Sequence, residues 1–244
     1  MAIKTLINYS PNFYAIKRKK KQIKFIVFHY TGMKSEVEAI KKLTKIQSGV
    51  SSHYFIKNNG DIINLVPELY TSWHAGISSW KSFKLLNKNS IGIEISNPGH
   101  QFKYKEFSKK QINSLLKLSK YLIKKYKINN QNILGHSDIA PDRKKDPGEK
   151  FPWEYLSKNN IGLWHSLKSK ILKNNRGYKI QNEGKKIFFD NLSKIGYSIK
   201  VPQNIEKNRY KTLLIKAFQR RYRKELINGK LDKECLLISS NLIK

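Results

Sequence analysis

The stretch IKFIVFHY, residues 23–30, sets the architecture of this chain. It is rich in β-branched and aromatic side chains, the composition of a buried strand, and it ends at His29. In an open sheet the ends of strands are where functional groups are presented. Working outward, Val37, Ile40, Leu43 and Ile46 recur at near-helical spacing and predict a helix over 36–47. Asn59-Gly60 then lies between the strand-like runs HYFIK and IINLV, a strong hairpin signal. IGIEIS at 91–96 alternates Ile91, Ile93 and Ile95 against Gly92, Glu94 and Ser96, a strand with two different faces. Ser108 and Gln111 form a capping-box pattern. Behind them Ile112, Leu115, Leu116, Ser119, Leu122, Ile123 and Tyr126 make the apolar stripe of a long helix. NILGH at 132–136 returns as a short strand. Strands and helices thus alternate within one unit, and the expected class is α/β, a mixed central sheet flanked by helices.

Beyond this unit, KNNRGYKIQNEG (173–184) is polar enough for a linker. IFFDNLSKIGY, YKTLLIKAFQRRYRKEL and LDKECLLISSNLI then predict three helices. The expected division is 1–172 for the α/β domain, 173–184 for the linker and 185–244 for a small all-α, three-helix domain.

With 39% hydrophobic residues in 244, the chain can bury a core, which excludes global disorder. Its longest apolar runs, such as FIVF at 25–28, are too short for a transmembrane segment. The N-terminus lacks the layout of a secretory signal, which predicts a cytoplasmic protein unless another route exports it to the cell envelope. The single cysteine, Cys235, excludes an intramolecular disulfide and a cysteine-based metal cluster, and is expected in the core. The net charge of +32 comes from 42 Lys and only 7 Arg scattered through every segment. Specific nucleic-acid recognition favours the arginine fork, so no specific nucleic-acid partner is expected. Loose attraction to polyanions, an anionic cell wall among them, is.

The loop LGHSDIAPDRKKDPGEKFPW (134–153) gathers His136, Asp138, Lys144 and Asp146 in an irregular, turn-rich segment. It is either a solvated charged loop or an ordered one presenting ligands. His29, His136 and Asp146 would form a His₂-carboxylate set with one position open, the composition of a catalytic zinc site. Glu94, inside an otherwise apolar strand, is either on a solvated face or a general base with a raised pKa. Lys144 could stabilise an oxyanion at the same centre, although a lone lysine among 42 carries little information. His100 and His165 read as surface or satisfied core residues.

Five segments settle these alternatives by resemblance: FIVFHYTG (25–32), SSHYFI (51–56), LVPELYTSWHAGISSW (65–80), NSIGIEISNPG (89–99) and GHSDIAPDRKKDPGEKFPW (135–153). In type and order they resemble the zinc-dependent N-acetylmuramoyl-L-alanine amidases of the type-2 amidase family, whose fold is shared with peptidoglycan recognition proteins. The resemblance implies one zinc ion on His29, His136 and Asp146, with Glu94 and Lys144 as catalytic residues. It places His74 and His53 in substrate contact or in support of the site. Trp73, Trp80 and Tyr70 are candidate stacking surfaces for sugar and peptide. GYSIKVP and AFQRRYRKELINGKLDKE resemble a three-helix peptidoglycan-binding domain, although residues 201–210 depart into a Lys/Asn-rich stretch. The implied activity is hydrolysis of the amide between N-acetylmuramic acid and L-alanine in peptidoglycan or muropeptides. The alternatives are a non-catalytic peptidoglycan-binding protein, a polyanion binder, and a zinc peptidase, which lacks an HExxH motif here. Oligomeric state is not legible.

Overall fold

The computed structural model describes residues 4–244. Two short strands, β1 (Leu6–Ile7) and β2 (Phe13–Tyr14), precede β3 (Phe25–Tyr30), helix α1 (Glu36–Thr44) and the hairpin β4 (Tyr54–Ile56) and β5 (Ile62–Asn64). Three short strands follow, β6 (Thr71–Ser72), β7 (Ser79–Trp80) and β8 (Phe83–Lys84), and then β9 (Ser90–Ile95). The long helix α2 (Lys109–Tyr126) leads to β10 (Ile133–Gly135) and the single-turn α3 (His136–Ile139). Helices α4 (Trp153–Lys158), α5 (Ser169–Asn175), α6 (Asn182–Ile195), α7 (Lys207–Tyr222) and α8 (Lys233–Leu242) complete the chain.

The main sheet has six strands in the order β1-β5-β4-β9-β3-β10. Only the β4–β5 hairpin is antiparallel, so the sheet is mixed. β3 lies between β9 and the edge strand β10, and its residues 25–28 are all within 1% of complete burial. Its alternate side chains serve two cores. Ile26 and Phe28 join Ile91, Ile93 and Ile95 of β9 against Leu115, Leu118 and Leu122 of α2. Phe25 and Val27 face the other way, onto Trp80, Leu134 and Ile139. His29 follows them in period two onto that second face, and β9 sets Glu94 directly opposite it in the parallel register.

α2 begins as expected, with Ser108 and Gln111 exchanging both capping bonds. α1 is shorter than 36–47 and rotated: Ala39 and Leu43 are buried, whereas Val37 is 76% exposed. A lone β-branched residue in the first turn cannot define the buried face of a two-turn helix.

In the C-terminal part α6, α7 and α8 form the three-helix unit, with Phe188, Leu192, Leu214, Phe218, Cys235 and Ile238 at its centre. Cys235 is fully buried, and burial pushes its thiol up to about 12. Residues 173–184 contain the end of α5 and the first turn of α6, with Arg176 between them forming a two-pronged pair with buried Glu234 at 2.7 Å. The apolar cluster of the helices is continuous with Phe25, Val27, Trp80 and Ile139 beneath the sheet. Among the described residues no helix is long and apolar enough to cross a membrane.

Candidate active site

The three ligand-type side chains arrive from three places. β3 delivers His29 at its C-terminal end, β10 turns at Gly135 into α3 to deliver His136, and the following loop returns with Asp146. Part of segment 134–153 is therefore a helical turn, where the sequence offered only irregular structure. The Ser137 N–H donates to the Asp146 carbonyl at 2.8 Å, tying the two ends of the loop together. The Arg143 guanidinium donates to the carbonyls of Ala75 and Ile77, pinning its middle. The loop is ordered by this backbone bond together with the Arg143 side chain's bonds to the neighbouring segment.

At the centre, His29 Nδ1 and His136 Nδ1 are 2.9 Å apart, and each is 3.0 Å from Asp146 Oδ2. All three residues are buried. The remaining ring nitrogens find acceptors. His136 Nε2 donates to the Ala75 carbonyl at 3.1 Å. His29 Nε2 donates to His74 Nδ1 at 3.0 Å, His74 Nε2 to Ser90 Oγ at 3.0 Å, and the Ser90 hydroxyl to the Leu86 carbonyl at 2.6 Å. Every proton in this chain points away from the centre. Both Nδ1 atoms are thereby left with lone pairs aimed at one point, beside a carboxylate oxygen. Burial, with His136 alongside, takes His29 down to about 4.

Two neutral imidazoles and one carboxylate form a donor set suited to a divalent cation, and to zinc in particular. Ligand bonds of about 2.0–2.1 Å put tetrahedral corners about 3.3 Å apart. The spacing of 2.9–3.0 Å is within a few tenths of an ångström of that. The residues present fit the ion.

Glu94 and Lys144 share a cavity of about 440 Å³ with His29, His136 and Asp146. Glu94 Oε2 is buried and has no hydrogen-bond partner among the described residues. Burial, reinforced by the Asp146 charge and opposed by Lys144 and Lys42, raises Glu94 well above the ordinary carboxylate value. The side chain is thus poised to take and hold a proton.

Of the other expected residues, His74 supports His29, and His53 packs edge-on beside His74 with ring centroids 5.8 Å apart. The Gly92 N–H donates to His53 Nδ1 at 3.0 Å, and its Nε2 meets the Tyr70 carbonyl at 3.0 Å. Trp73 lines the cavity with its indole N–H unpartnered. Trp80 does not line it: 1% exposed, it packs against Tyr197 and Gly196 as core. Tyr70 faces a separate groove, beside Glu68 and Leu69. His100 is the residue the sequence undervalued. It lines the cavity, bonded to the Tyr30 hydroxyl at 2.9 Å and Glu149 at 3.0 Å and stacked on Tyr104. Its signal was its position just past the end of β9, in NPGH.

An α/β sheet that gathers two histidines and an aspartate able to hold a divalent cation, with a buried glutamate oxygen in the same cavity, is an arrangement suited to metal-dependent hydrolysis. Residues 19–149 match the family model described as N-acetylmuramoyl-L-alanine amidase, and the chain belongs to that family. It is 36% identical over 236 residues to the N-acetylmuramoyl-L-alanine amidase AmiD of Escherichia coli, spanning 91% of this chain and 83% of AmiD. It is 41% identical over 113 residues to the 1,6-anhydro-N-acetylmuramyl-L-alanine amidase AmpD of Haemophilus influenzae, spanning 46% of this chain and 59% of AmpD. The solved complex of E. coli AmiD with anhydro-N-acetylmuramic acid-L-Ala-D-gamma-Glu-L-Lys superposes with a TM-score of 0.79 at 34% identity, covering 91% of this chain and 89% of that one.

Proposed function

We propose that this chain hydrolyses the amide bond between the lactyl group of N-acetylmuramic acid and L-alanine, in peptidoglycan or its fragments. The observation that carries the reading is the placement of Glu94, with its unpartnered Oε2, in one cavity with the His29–His136–Asp146 cluster. Those three side chains would hold one zinc ion, which when bound supplies Lewis acidity, lowering the pKa of a water and polarising the scissile carbonyl. Glu94 takes the proton of the attacking water at Oε2 as the carbon–oxygen bond forms. The Lys144 ammonium, on the loop two residues before Asp146, faces the developing oxyanion. Glu94 then returns its proton to the amide nitrogen as the carbon–nitrogen bond breaks. The products are a muramyl carboxylate and a stem peptide with a free L-alanine amine. The Trp73 indole and His100 line the walls where sugar and peptide lie.

The catalytic unit is assigned to residues 1–172, and the three-helix unit 185–244, reached through 173–184, to peptidoglycan binding. The latter rests on the resemblance of GYSIKVP and AFQRRYRKELINGKLDKE. A wall-binding unit favours polymer as substrate, and the cell envelope is the location if the protein is exported.

The test is digestion of muropeptides and intact wall, read by mass spectrometry, with wild type, Glu94→Ala and chelator-treated protein. Free stem peptides from untreated wild type alone are expected. A zinc-loaded wild type that cuts neither substrate would overturn the reading in favour of a binding protein.

A further inference from the structure

Asp138 is a buried carboxylate, 1% exposed, two residues beyond His136 on α3. It has no part in the chemistry above, yet both its oxygens accept hydrogen bonds. Oδ2 accepts from the Gly135 N–H at 2.8 Å and from Arg221 Nη1, and Oδ1 accepts from the Tyr197 hydroxyl at 2.6 Å. Gly135 is the residue at which β10 turns to present His136. Tyr197 and Arg221 belong to the C-terminal helical unit. Two of the three donors that fix this turn therefore come from outside the α/β unit.

Arg221 makes further contacts to the same region. Its Nη2 donates to the Ile133 carbonyl on β10 at 3.1 Å, and its guanidinium lies 4.0 Å over the Trp153 ring. The preceding residue, Arg220, is 8% exposed and approaches Glu149 at 3.8 Å. Glu149 is three residues beyond Asp146. Consecutive arginines of α7 thus reach both ends of the loop that carries His136 and Asp146. A second contact lies beneath the neighbouring segment. The Lys81 N–H donates to the Gly196 carbonyl at 2.7 Å, and a Cβ at Gly196 would sit 2.5 Å from Trp80 Cε2. Tyr197 stacks edge-on against the same indole at 4.8 Å.

A tethered module that only binds wall would meet its neighbour through a small, polar and wet surface. Here the two units share one apolar core and a buried ion pair. Buried charges are tolerated when every lone pair is met, and an ion pair of this kind fixes one arrangement over its competitors.

We propose that the C-terminal helical unit is a structural part of the metal centre, with Arg221 and Tyr197 as positioning residues that act on His136 through Asp138. The inference rests on the zinc reading of His29, His136 and Asp146. It predicts that changes more than one residue removed from any ligand, on a different unit of the protein, alter metal affinity.

The test uses the full chain and zinc itself, with affinity measured by chelator competition and site geometry by the visible spectrum of the cobalt-substituted protein. Arg221→Met is expected to weaken zinc binding about 10-fold, the lower end of the range for groups bonded directly to metal ligands, because it acts one residue further out. Arg221→Lys keeps the charge but not the fork and is expected to recover part of the loss. Tyr197→Phe keeps the stacking on Trp80 and removes one donor, for an expected loss of at least about threefold. Arg209→Met, on the exposed side of α7, is expected to leave affinity and spectrum unchanged. A folded Arg221→Met protein with zinc affinity within about twofold of wild type and an unchanged cobalt spectrum would overturn the proposal. Should Arg221→Met fail to fold, Tyr197→Phe decides by the same criterion. If wild type takes up no zinc, the metal reading itself fails and this inference with it, an outcome distinct from tight binding by every variant.

Discussion

Gly92 is where a single methyl group should do the most damage. It lies on β9 two residues before Glu94, and a Cβ there would stand 2.4 Å from His74 Cγ and 2.6 Å from its Cδ2 and Nδ1. Ordinary contact begins near 3.4 Å, so the imidazole must retreat by about 1 Å. His74 is held at both ends, by His29 Nε2 and by Ser90 Oγ, each at 3.0 Å, and a shift of that size breaks both bonds. Two buried hydrogen bonds at about 1 kcal/mol each, with about 1–3 kcal/mol of overpacking, give a loss of about 3–5 kcal/mol for Gly92→Ala. Urea unfolding of the metal-free protein measures it. His29 loses the acceptor that fixes its Nε2 proton, so zinc affinity should fall about 10- to 100-fold as well. The pair is also strongly coupled. His74→Ala removes the ring that the new methyl strikes, so Gly92→Ala should add less than about 1 kcal/mol in that background. Full additivity of the two changes, or a Gly92→Ala protein with wild-type stability and zinc affinity, would refute the account of why this strand carries a glycine.

Glu94→Gln should reduce cleavage about 10²- to 10⁴-fold while leaving zinc affinity within a few-fold, measured by stem-peptide release and chelator competition. Removing metal should abolish cleavage and lower the melting temperature. At zinc about 1,000-fold above its dissociation constant, the stabilisation lost is about 4 kcal/mol. Burial would raise Glu149, but the His100 hydrogen bond holds it below its ordinary value of 4.5, with the Arg220 charge adding. A depressed folded-state pKa gives stability that is present above pH 4.5 and lost as pH falls through the folded value. Glu149→Gln should therefore be less stable than wild type at pH 7, by no more than about 1 kcal/mol because the pair is partly exposed, and equal to it in strong acid. Unfolding curves at the two pH values check this.

The parts of the fold legible in the sequence were those where local pattern and tertiary environment agree. IKFIVFHY had to be buried, and IGIEIS showed in its alternation that Glu94 faces away from the isoleucines. Residues 108–126 carried both a cap and a stripe. Val37 and Trp80 misled for one reason: side-chain type gives apolar character but not the direction in which it points. The site was legible through resemblance more than through spacing, since His29 and His136 are 107 residues apart and meet only because β3 and β10 are neighbours. His100 looked ordinary because its partners, Tyr30 and Glu149, are 70 and 49 residues away in sequence. The role of Asp138 was hidden further, because Tyr197 and Arg221 lie in a segment whose own pattern shows only amphipathic helices.

The most direct measurement is digestion of a muropeptide by the zinc-loaded protein in water labelled with heavy oxygen, with mass spectrometry of both products. The account predicts label in the muramyl carboxylate and a free L-alanine amine on an unlabelled stem peptide. Label within the stem peptide, or no cleavage by a protein carrying one zinc per chain, would contradict it.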